Sequence, residues 1–544
     1  MQSWFTFELD GRTHRVEGEA VNRTLAAYLD GQGVGFERRF REPDPRLGGA
    51  CLVTLDLDGF GRNAYRTVDA GLILLPAAAG RRFWTSEGLW RRKEGGGGAA
   101  ATEHPVIAAI NRRPELECAW STRANAIAAL FEGYYRRDLN QIGQMPEQFD
   151  ACLSRTIDYE SLRQAGLEVF GESRRRWHEA SLRARVQGME EALQHGRVDV
   201  HGDDFSALMT AGDAPPAEFA YVDAAKRRYY RPHTLVDLVK LVAHYPEAKI
   251  AGAGGGLALR TRVNAGTWPE IIATEGVPEL RSITPHDDHW EIGAAAPLTS
   301  LAEVTGRFNP ALAKMLRRYG SRPLRNRATL GGYLAAREGD GELAPVLMAL
   351  DARVLLVSME GERDVPVAGF FEKPGAPVLR RGEIVASIIL PKFSGEVLAK
   401  RGCRVRFCDA YKSAPRRENF PASVTAGFAV EIDAGGAVTR AWIAYSGLGP
   451  HPVRARQAEE ALRGKVWSEE SVISLLSGLS QEVRLPEEAP GAAGGGDRDY
   501  RRQLVITMLQ KFFYQHPNPD GPPIELGAIG EFVRPSRPFF QPES

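Results

Sequence analysis

Lys249-Ile250-Ala251-Gly252-Ala253-Gly254-Gly255-Gly256-Leu257-Ala258-Leu259 is the stretch that decides how the rest of the chain is read. A strand-like segment breaks into a glycine run and then resumes as an apolar segment. Glycines in such a turn let backbone N–H groups approach a ligand closely, and consecutive N–H groups form a nest that takes an anion such as phosphate. The G-x-G-x-x-G dinucleotide fingerprint fails, because Leu257 stands where the third glycine belongs, and no regular βαβ series is evident after it. A glycine-rich surface turn holding no ligand is the competing reading. A second stretch, Arg325-Asn326-Arg327-Ala328-Thr329-Leu330-Gly331-Gly332-Tyr333, again offers a hydroxyl and two glycines for close approach to a polar group. The pair is more informative than either part.

Working outward, Tyr230-Arg231-Pro232 leads into a predicted helix that Thr234 caps. Asp237 complements its dipole, and Leu235, Leu238, Val239 and Val242 form its apolar stripe. At the N-terminus Phe5, Phe7 and Leu9 alternate with polar residues up to a turn at Asp10-Gly11, which predicts a β-hairpin. Asn22 or Thr24 caps a short helix with Leu25, Tyr28 and Leu29, and Cys51 to Leu57 alternates before a turn at Asp58-Gly59. The run Glu94 to Ala101 has almost no side chain to bury and reads as a linker. From Pro105 to about Gly196 the period is helical, with Ile107, Ile110, Ala124, Ile127, Leu130 and Phe131 lining one face. Towards the C-terminus, Val424 to Ile432 and Val438 to Tyr445 form a hairpin around Asp433-Ala434-Gly435-Gly436. A Gly/Ala linker at Pro490 to Gly496 follows, then a helix striped by Tyr500, Leu504, Met508 and Phe512.

The 544 residues correspond to roughly three to five domains. Lys+Arg and Asp+Glu are both 69, so no chain-wide attraction to nucleic acid or to an anionic membrane is expected. Arg174-Arg175-Arg176-Trp177 has glutamates nearby and reads as a solvated mixed-charge helical face. Met1 to Phe5 lacks the pattern of a signal peptide. The aliphatic run Leu72 to Ala79 is broken by Pro76 and falls short of the roughly 18 apolar residues of a membrane helix. Membrane insertion is therefore not expected, and a cytoplasmic location is. Five cysteines, Cys51, Cys118, Cys152, Cys403 and Cys408, are scattered and odd in number, which fits a reducing compartment. Cys403 and Cys408 read as small hydrophobes. His286-Asp287-Asp288-His289 sits at a predicted hairpin tip between Ile283 and Trp290-Glu291-Ile292, where these are ordinary turn residues, and no metal is assigned there.

The order of these segments resembles the iron–sulfur/FAD subunit of the xanthine dehydrogenase and molybdenum hydroxylase family. The best-matched stretches are Tyr230-Arg231-Pro232 with its helix, Arg325 to Ala352, Glu383 to Pro391, Tyr411 to Arg417 and Tyr500 to Tyr514. The resemblance implies an α+β multidomain chain. Residues 1–93 would be a ferredoxin-like β-grasp domain, and 102–200 a helical domain like the second [2Fe–2S] domain. Residues 221–395 would be a vanillyl-alcohol-oxidase-type FAD-binding domain, 400–515 a domain like the C-terminal one of carbon monoxide dehydrogenase flavoproteins, and 516–544 a proline-rich tail.

The departures from the family carry the functional argument. Pro43 and Gly48 stand where two cluster cysteines belong, Cys51 keeps the third position, and the fourth falls near Tyr65. In the helical domain Cys118-Ala119-Trp120-Ser121 and Ser154-Arg155-Thr156 replace two paired-cysteine segments, and Cys152 lies two residues from an expected ligand position. With so few thiolates no [2Fe–2S] cluster is expected. For FAD the matched positions are Ala253, Gly254, Gly255, Gly256 and Leu257 in the first loop, and Thr329, Gly331 and Gly332 in the second. Tyr333 replaces an Asn, Glu342 an Asp, and Lys412, Arg416 and Arg417 keep the basic segment. Backbone donors for a pyrophosphate persist, while side-chain donors to the rest of the cofactor are altered. The resemblance implies an FAD-binding oxidoreductase subunit in a hetero-oligomer with a molybdenum-hydroxylase-like large subunit, passing electrons to NAD or another acceptor. The alternative is an inactive scaffold subunit that binds no cofactor.

Overall fold

The computed structural model describes residues 1–33, 51–89, 103–116, 120–139, 144–152, 157–211, 217–262, 267–306, 308–336, 341–371, 378–415, 420–483, 495–519 and 521. The expected linker at 94–101, most of the one at 490–496 and nearly all of the proline-rich tail lie outside them. The N-terminal strands are β1 (Trp4–Leu9), β2 (Arg12–Glu17), β3 (Cys51–Leu57), β4 (Asn63–Asp69) and β5 (Arg82–Trp84), aligned β2-β1-β5-β3-β4 with β1 and β5 parallel. Two hairpins joined through a parallel central pair give a β-grasp sheet. The β1–β2 turn has Asp10 and Gly11 at φ 52° and 76°, the left-handed conformation that a two-residue hairpin turn requires. Thr24, rather than Asn22, caps the helix Leu25–Gly31, its hydroxyl accepting from the Ala27 N–H. The Asn22 side chain reaches across to the Trp268 backbone.

Helix Trp120–Tyr135 packs on β3 and β4, and helices Pro105–Asn111 and Tyr159–Gln187 pack against it and against each other. Ile107, Ile110, Ile127, Leu130 and Phe131 are buried as their spacing requires, in one core with Cys51, Val53, Tyr65 and Trp84. β6 (Phe219–Val222), β7 (Arg228–Arg231), β8 (Lys249–Ala251) and β9 (Glu270–Ala273) form a second sheet in the order β6-β7-β9-β8. β7, β9 and β8 are parallel. β8 and β9 are neighbours joined through the helix Gly255–Arg262, so the glycine run does open one βαβ unit, although the sequence showed no regular series. This sheet shares a core with the first: Phe5 and Phe7 are buried with Tyr221, Tyr229 and Ala251, and the Phe5 and Tyr221 rings meet edge to face at 5.1 Å.

β10 (Ile283–Pro285), β11 (His289–Gly293), β12 (Arg353–Ser358), β13 (Gly361–Pro366) and β14 (Ile384–Pro391) make an antiparallel sheet ordered β10-β11-β14-β12-β13. Leu298, Leu312, Leu316, Leu330 and Leu347, from the helices around it, bury against Ile292, Val354 and Ile388. The last sheet is β15 (Val405–Ser413), β16 (Val424–Ile432), β17 (Val438–Ser446) and β18 (Val453–Arg454), in chain order. Every residue of β16 is buried, because helix Ala344–Ala349 covers one face and helix Gly495–Gln515 the other. A Cβ at Gly427 would lie 2.2 Å from the Pro345 carbonyl oxygen, so glycine is what lets the first of these helices lie on the strand. On the second helix Met508 and Phe512 are buried as expected, but Tyr500 is exposed and hydrogen-bonds Ser413, while Val505, Leu509 and Phe513 complete the buried face. Tyr500 lies at the edge of the contact, where its hydroxyl meets Ser413 at the end of β15. Among the described residues no helix is long and apolar enough to cross a membrane.

Candidate functional site

β8 ends at Ala251 and the chain turns through Gly252, Ala253 and Gly254 into the helix Gly255–Arg262. Gly254 has φ +82°, and Leu74 lies 3.5 Å from where its Cβ would stand. The two glycine stretches meet at Gly252, where a Cβ would fall 2.7 Å from the Thr329 hydroxyl oxygen. That hydroxyl accepts from the Gly332 N–H at 3.1 Å, so it also shapes the second turn. Gly331 serves packing, since its Cβ would sit 2.5 Å from that of Ala294, and its N–H donates to the Ala294 carbonyl at 3.0 Å. Gly256 is exposed with nothing within 4 Å of its Cβ position, and Gly255 has only the Leu72 carbonyl at 3.9 Å. The result is an open cradle at the first turn of a helix, where amides lack intrahelical partners and the dipole favours negative charge.

Arg327 stiffens the cradle. Its guanidinium donates to the Ala253 carbonyl at 2.8 Å and pairs with Glu275 at 2.8 Å, and Arg81 pairs with the same carboxylate at 2.9 Å. Burial works to raise the Glu275 carboxyl, but Arg327, Arg81 and Arg231 together hold it below the usual range. The sequence reading missed Arg327 and Glu275 as cradle residues; the only signal was the Arg-Asn-Arg run ahead of Thr329.

Glu342 and Lys412 lie together at the other end of the expected site. The Lys412 amine donates to Glu342 at 2.7 Å and to the Arg318 carbonyl at 2.8 Å, and the second Glu342 oxygen accepts from the Ala422 N–H at 2.6 Å. Burial lowers the Lys412 amine from its ordinary value, against the opposing pull of Glu342. Tyr333 is turned inward, its hydroxyl oxygen accepting from the Leu343 and Ala344 N–H groups at 3.0 and 2.9 Å, and burial pushes its phenol well above the usual range. The acid, the amine and the phenol here are occupied by the protein itself. Arg416 and Arg417 lie outside the described residues.

A third cluster joins β4, the helix Trp120–Tyr135 and the region around Glu303 and Arg322. Glu132 is fully buried and accepts from the Thr67 N–H at 3.0 Å, Arg322 at 2.8 Å and Asn326 at 3.3 Å. Arg66 chelates Glu303 at 2.6 and 2.9 Å, and Asp150 accepts from the Arg322 N–H at 2.8 Å. Burial works to raise the Glu132 carboxyl, but Arg322, Arg66 and Arg136 hold it low.

Of the cluster-ligand positions, Pro43, Gly48, Cys118 and Ser154 to Thr156 lie outside the described residues. Cys51 is buried, its N–H donates to Asn125 at 3.1 Å, and burial pushes its thiol well up. Tyr65 sits in an aromatic core, 5.1 Å from the Phe131 ring and 5.7 Å from Trp84, and donates its hydroxyl to the Phe205 carbonyl at 2.9 Å. Cys152, Cys403 and Cys408 form no disulfide among the described residues, and burial pushes the Cys408 thiol to about 11.

Residues 223–393 match the family model described as the FAD binding domain in molybdopterin dehydrogenase, and residues 409–516 match the CO dehydrogenase flavoprotein C-terminal domain. Mouse aldehyde oxidase 4 is 32% identical over 297 residues, which are 52% of this chain and 21% of that protein. Xanthine dehydrogenase of Emericella nidulans is 27% identical over 301 residues, 53% of this chain and 21% of that protein. The match thus spans about a fifth of these relatives' length. Among solved structures, carbon monoxide dehydrogenase of Hydrogenophaga pseudoflava, in a form lacking the Mo-pyranopterin moiety, aligns at 25% identity and TM-score 0.46 over 52% of this chain and 94% of its own. Quinoline 2-oxidoreductase of Pseudomonas putida 86 aligns at 23% identity and TM-score 0.45 over 53% and 95%.

Proposed function

The chain belongs to the FAD-binding subunits of the molybdenum hydroxylase family, its FAD-binding and flavoprotein C-terminal domains together matching about half its length, and from that membership we propose that it is the flavin subunit of a hydroxylase-like oxidoreductase complex whose own chain holds no iron–sulfur relay. The observation that carries the reading is the open cradle at Gly254 to Leu257 buttressed by Thr329. It fits a pyrophosphate, because Gly255 and Gly256 carry no side chain into the space left open, and the first turn of a helix favours an anion there. Thr329 and Gly332 fix the second wall, and Gly331 holds that wall on the sheet. Bound FAD supplies hydride and single-electron transfer, which no side chain provides. At the other end Tyr333 and the Glu342–Lys412 pair offer shape and a buried charge pair rather than open hydrogen-bonding groups, so affinity rests on the phosphate end.

The absent relay is supported by Tyr65 and Cys51, which are packed in an aromatic and aliphatic core at two positions where the family places ligands. Electrons from a molybdenum-hydroxylase-like large subunit would then need a relay from another chain before passing through FAD to NAD or another acceptor. A hetero-oligomer in the cytoplasm is the corresponding assembly. A second reading, a scaffold subunit without cofactor, is favoured by the way Glu342 and Lys412 satisfy one another and the Tyr333 hydroxyl is taken up by the Leu343 and Ala344 N–H groups.

Purification of the full chain from its native source, with FAD released and quantified, iron assayed and co-purifying chains identified, tests both readings. One FAD per chain, no stoichiometric iron and a large partner are expected. A colourless protein that stays colourless with added FAD overturns the flavin reading, and stoichiometric iron on this chain overturns the missing relay.

A further inference from the structure

His286 and His289 flank a two-residue turn, Asp287-Asp288, that the His286 N–H closes onto the His289 carbonyl at 2.9 Å. The sequence reading gave this segment to an ordinary hairpin turn. The turn is present, and it is what brings the imidazoles together: the rings stack at 4.4 Å with 12° between their planes. Side chains alternate along a strand, so His289 and Glu291 share one face of β11. Trp290 takes the other face and stacks on Phe308 at 4.1 Å, which pins the strand's orientation. One ligand atom from each of His286, His289 and Glu291 lies within 4.8 Å of the others.

Two of these atoms already stand at coordination distance from each other. His286 Nε2 and Glu291 Oε2 are 3.3 Å apart. Bonds of about 2.0–2.1 Å from a tetrahedral zinc ion place neighbouring ligand atoms roughly 3.4 Å apart. Asp288 accepts from His289 Nδ1 at 2.7 Å. A carboxylate on one imidazole nitrogen fixes the tautomer and leaves the other nitrogen to the metal, the usual support for a ligating histidine. All three ligands are partly exposed, so water completes the shell. Lys392 is committed elsewhere, donating to the His286 carbonyl and lying 5.0 Å over the Trp290 ring.

We propose that the tip of the β10–β11 hairpin is a divalent transition-metal site of the zinc class, with His286, His289 and Glu291 as ligands, Asp288 as the supporting carboxylate and water in the open position. The assignment is independent of the flavin reading.

The test is titration of the tag-free full chain with zinc chloride against a chromophoric chelator, with folding of every variant checked by circular dichroism. One saturable zinc per chain is expected. His286→Ala and Glu291→Gln each weaken it at least tenfold, and Asp288→Asn weakens it about tenfold or more. His244→Gln, an exposed histidine elsewhere, leaves binding unchanged. Absence of saturable binding, or tight zinc binding retained by the folded His286→Ala/Glu291→Gln double variant, overturns the proposal.

Discussion

The Glu132 junction and the glycine cradle are both built where separate segments of the chain meet, and they do so in opposite ways. At the junction, Arg66, Glu132, Glu303 and Arg322 fill the space with charged side chains whose partners come from distant parts of the sequence. In the cradle, side chains are withdrawn, Gly255 and Gly256 leave backbone facing open space, and the charged residues nearby, Arg327 and Glu275, hold the loop from behind. The lesson is that charge serves adhesion in one place and support in the other. A buried ion that loses its partner is costly, whereas a glycine that gains a methyl group matters only where something must sit close to it.

The largest effect is expected from Glu132→Ala. Arg322, Asn326 and the Thr67 N–H lose their shared acceptor, and unfolding free energy should fall by about 3–5 kcal/mol, as for other broken buried pairs. Urea denaturation measures this; a change under ~1 kcal/mol would show that the junction is not holding the segments together. Next is the response to acid. Burial pushes His201 down to about 3 and His104 to about 4 from 6.5, so both are neutral in the folded chain at neutral pH. A depressed histidine contributes stability that is complete above the unfolded value and lost as pH falls through the window from 6.5 towards 3–4. Glu132 is also held low, so its contribution is lost only below the ordinary carboxylate range. Denaturation curves should therefore weaken first between pH 6.5 and 4.5, and His201→Phe should flatten that region. A drop confined to pH below 4 would assign acid sensitivity to the junction instead.

The smallest effects sharpen the cradle. Gly252→Ala, which drives a methyl group against Thr329, should cost about 1–3 kcal/mol of stability and separate the two loops. Gly256→Ala meets nothing within 4 Å, so it should leave stability within ~1 kcal/mol of the parent. FAD affinity should nonetheless fall about tenfold, a difference of ~1.4 kcal/mol. Flavin fluorescence on titration separates the two outcomes, and unchanged affinity in Gly256→Ala would move the dinucleotide away from that amide.

Local pattern was legible where one residue type meets one backbone demand. The Asp10-Gly11 turn, the Thr234 cap whose hydroxyl oxygen accepts the Asp237 N–H, and the buried Leu238, Val239 and Val242 stripe all follow from spacing. The glycine stretches, too, were marked by composition alone. What sequence could not supply was pairing across hundreds of residues. Arg327 reads as one arginine among many until the fold sets it beside Ala253 and Glu275. Tyr500 keeps the helical period yet stays half exposed, its hydroxyl meeting Ser413 at the end of β15.

By itself, the sequence determined the mixed α+β multidomain class, the two glycine loops and the scarcity of thiolates at the expected ligand positions, since each depends on residue identity and short spacing. Only the tertiary structure decided that Gly252 abuts Thr329, that Lys412 spends its charge on Glu342, that the Glu132 ions lock together, and that a turn places two imidazoles beside Glu291. The physical reason is that these are distances between groups the chain must first fold to bring together, and no local propensity encodes them.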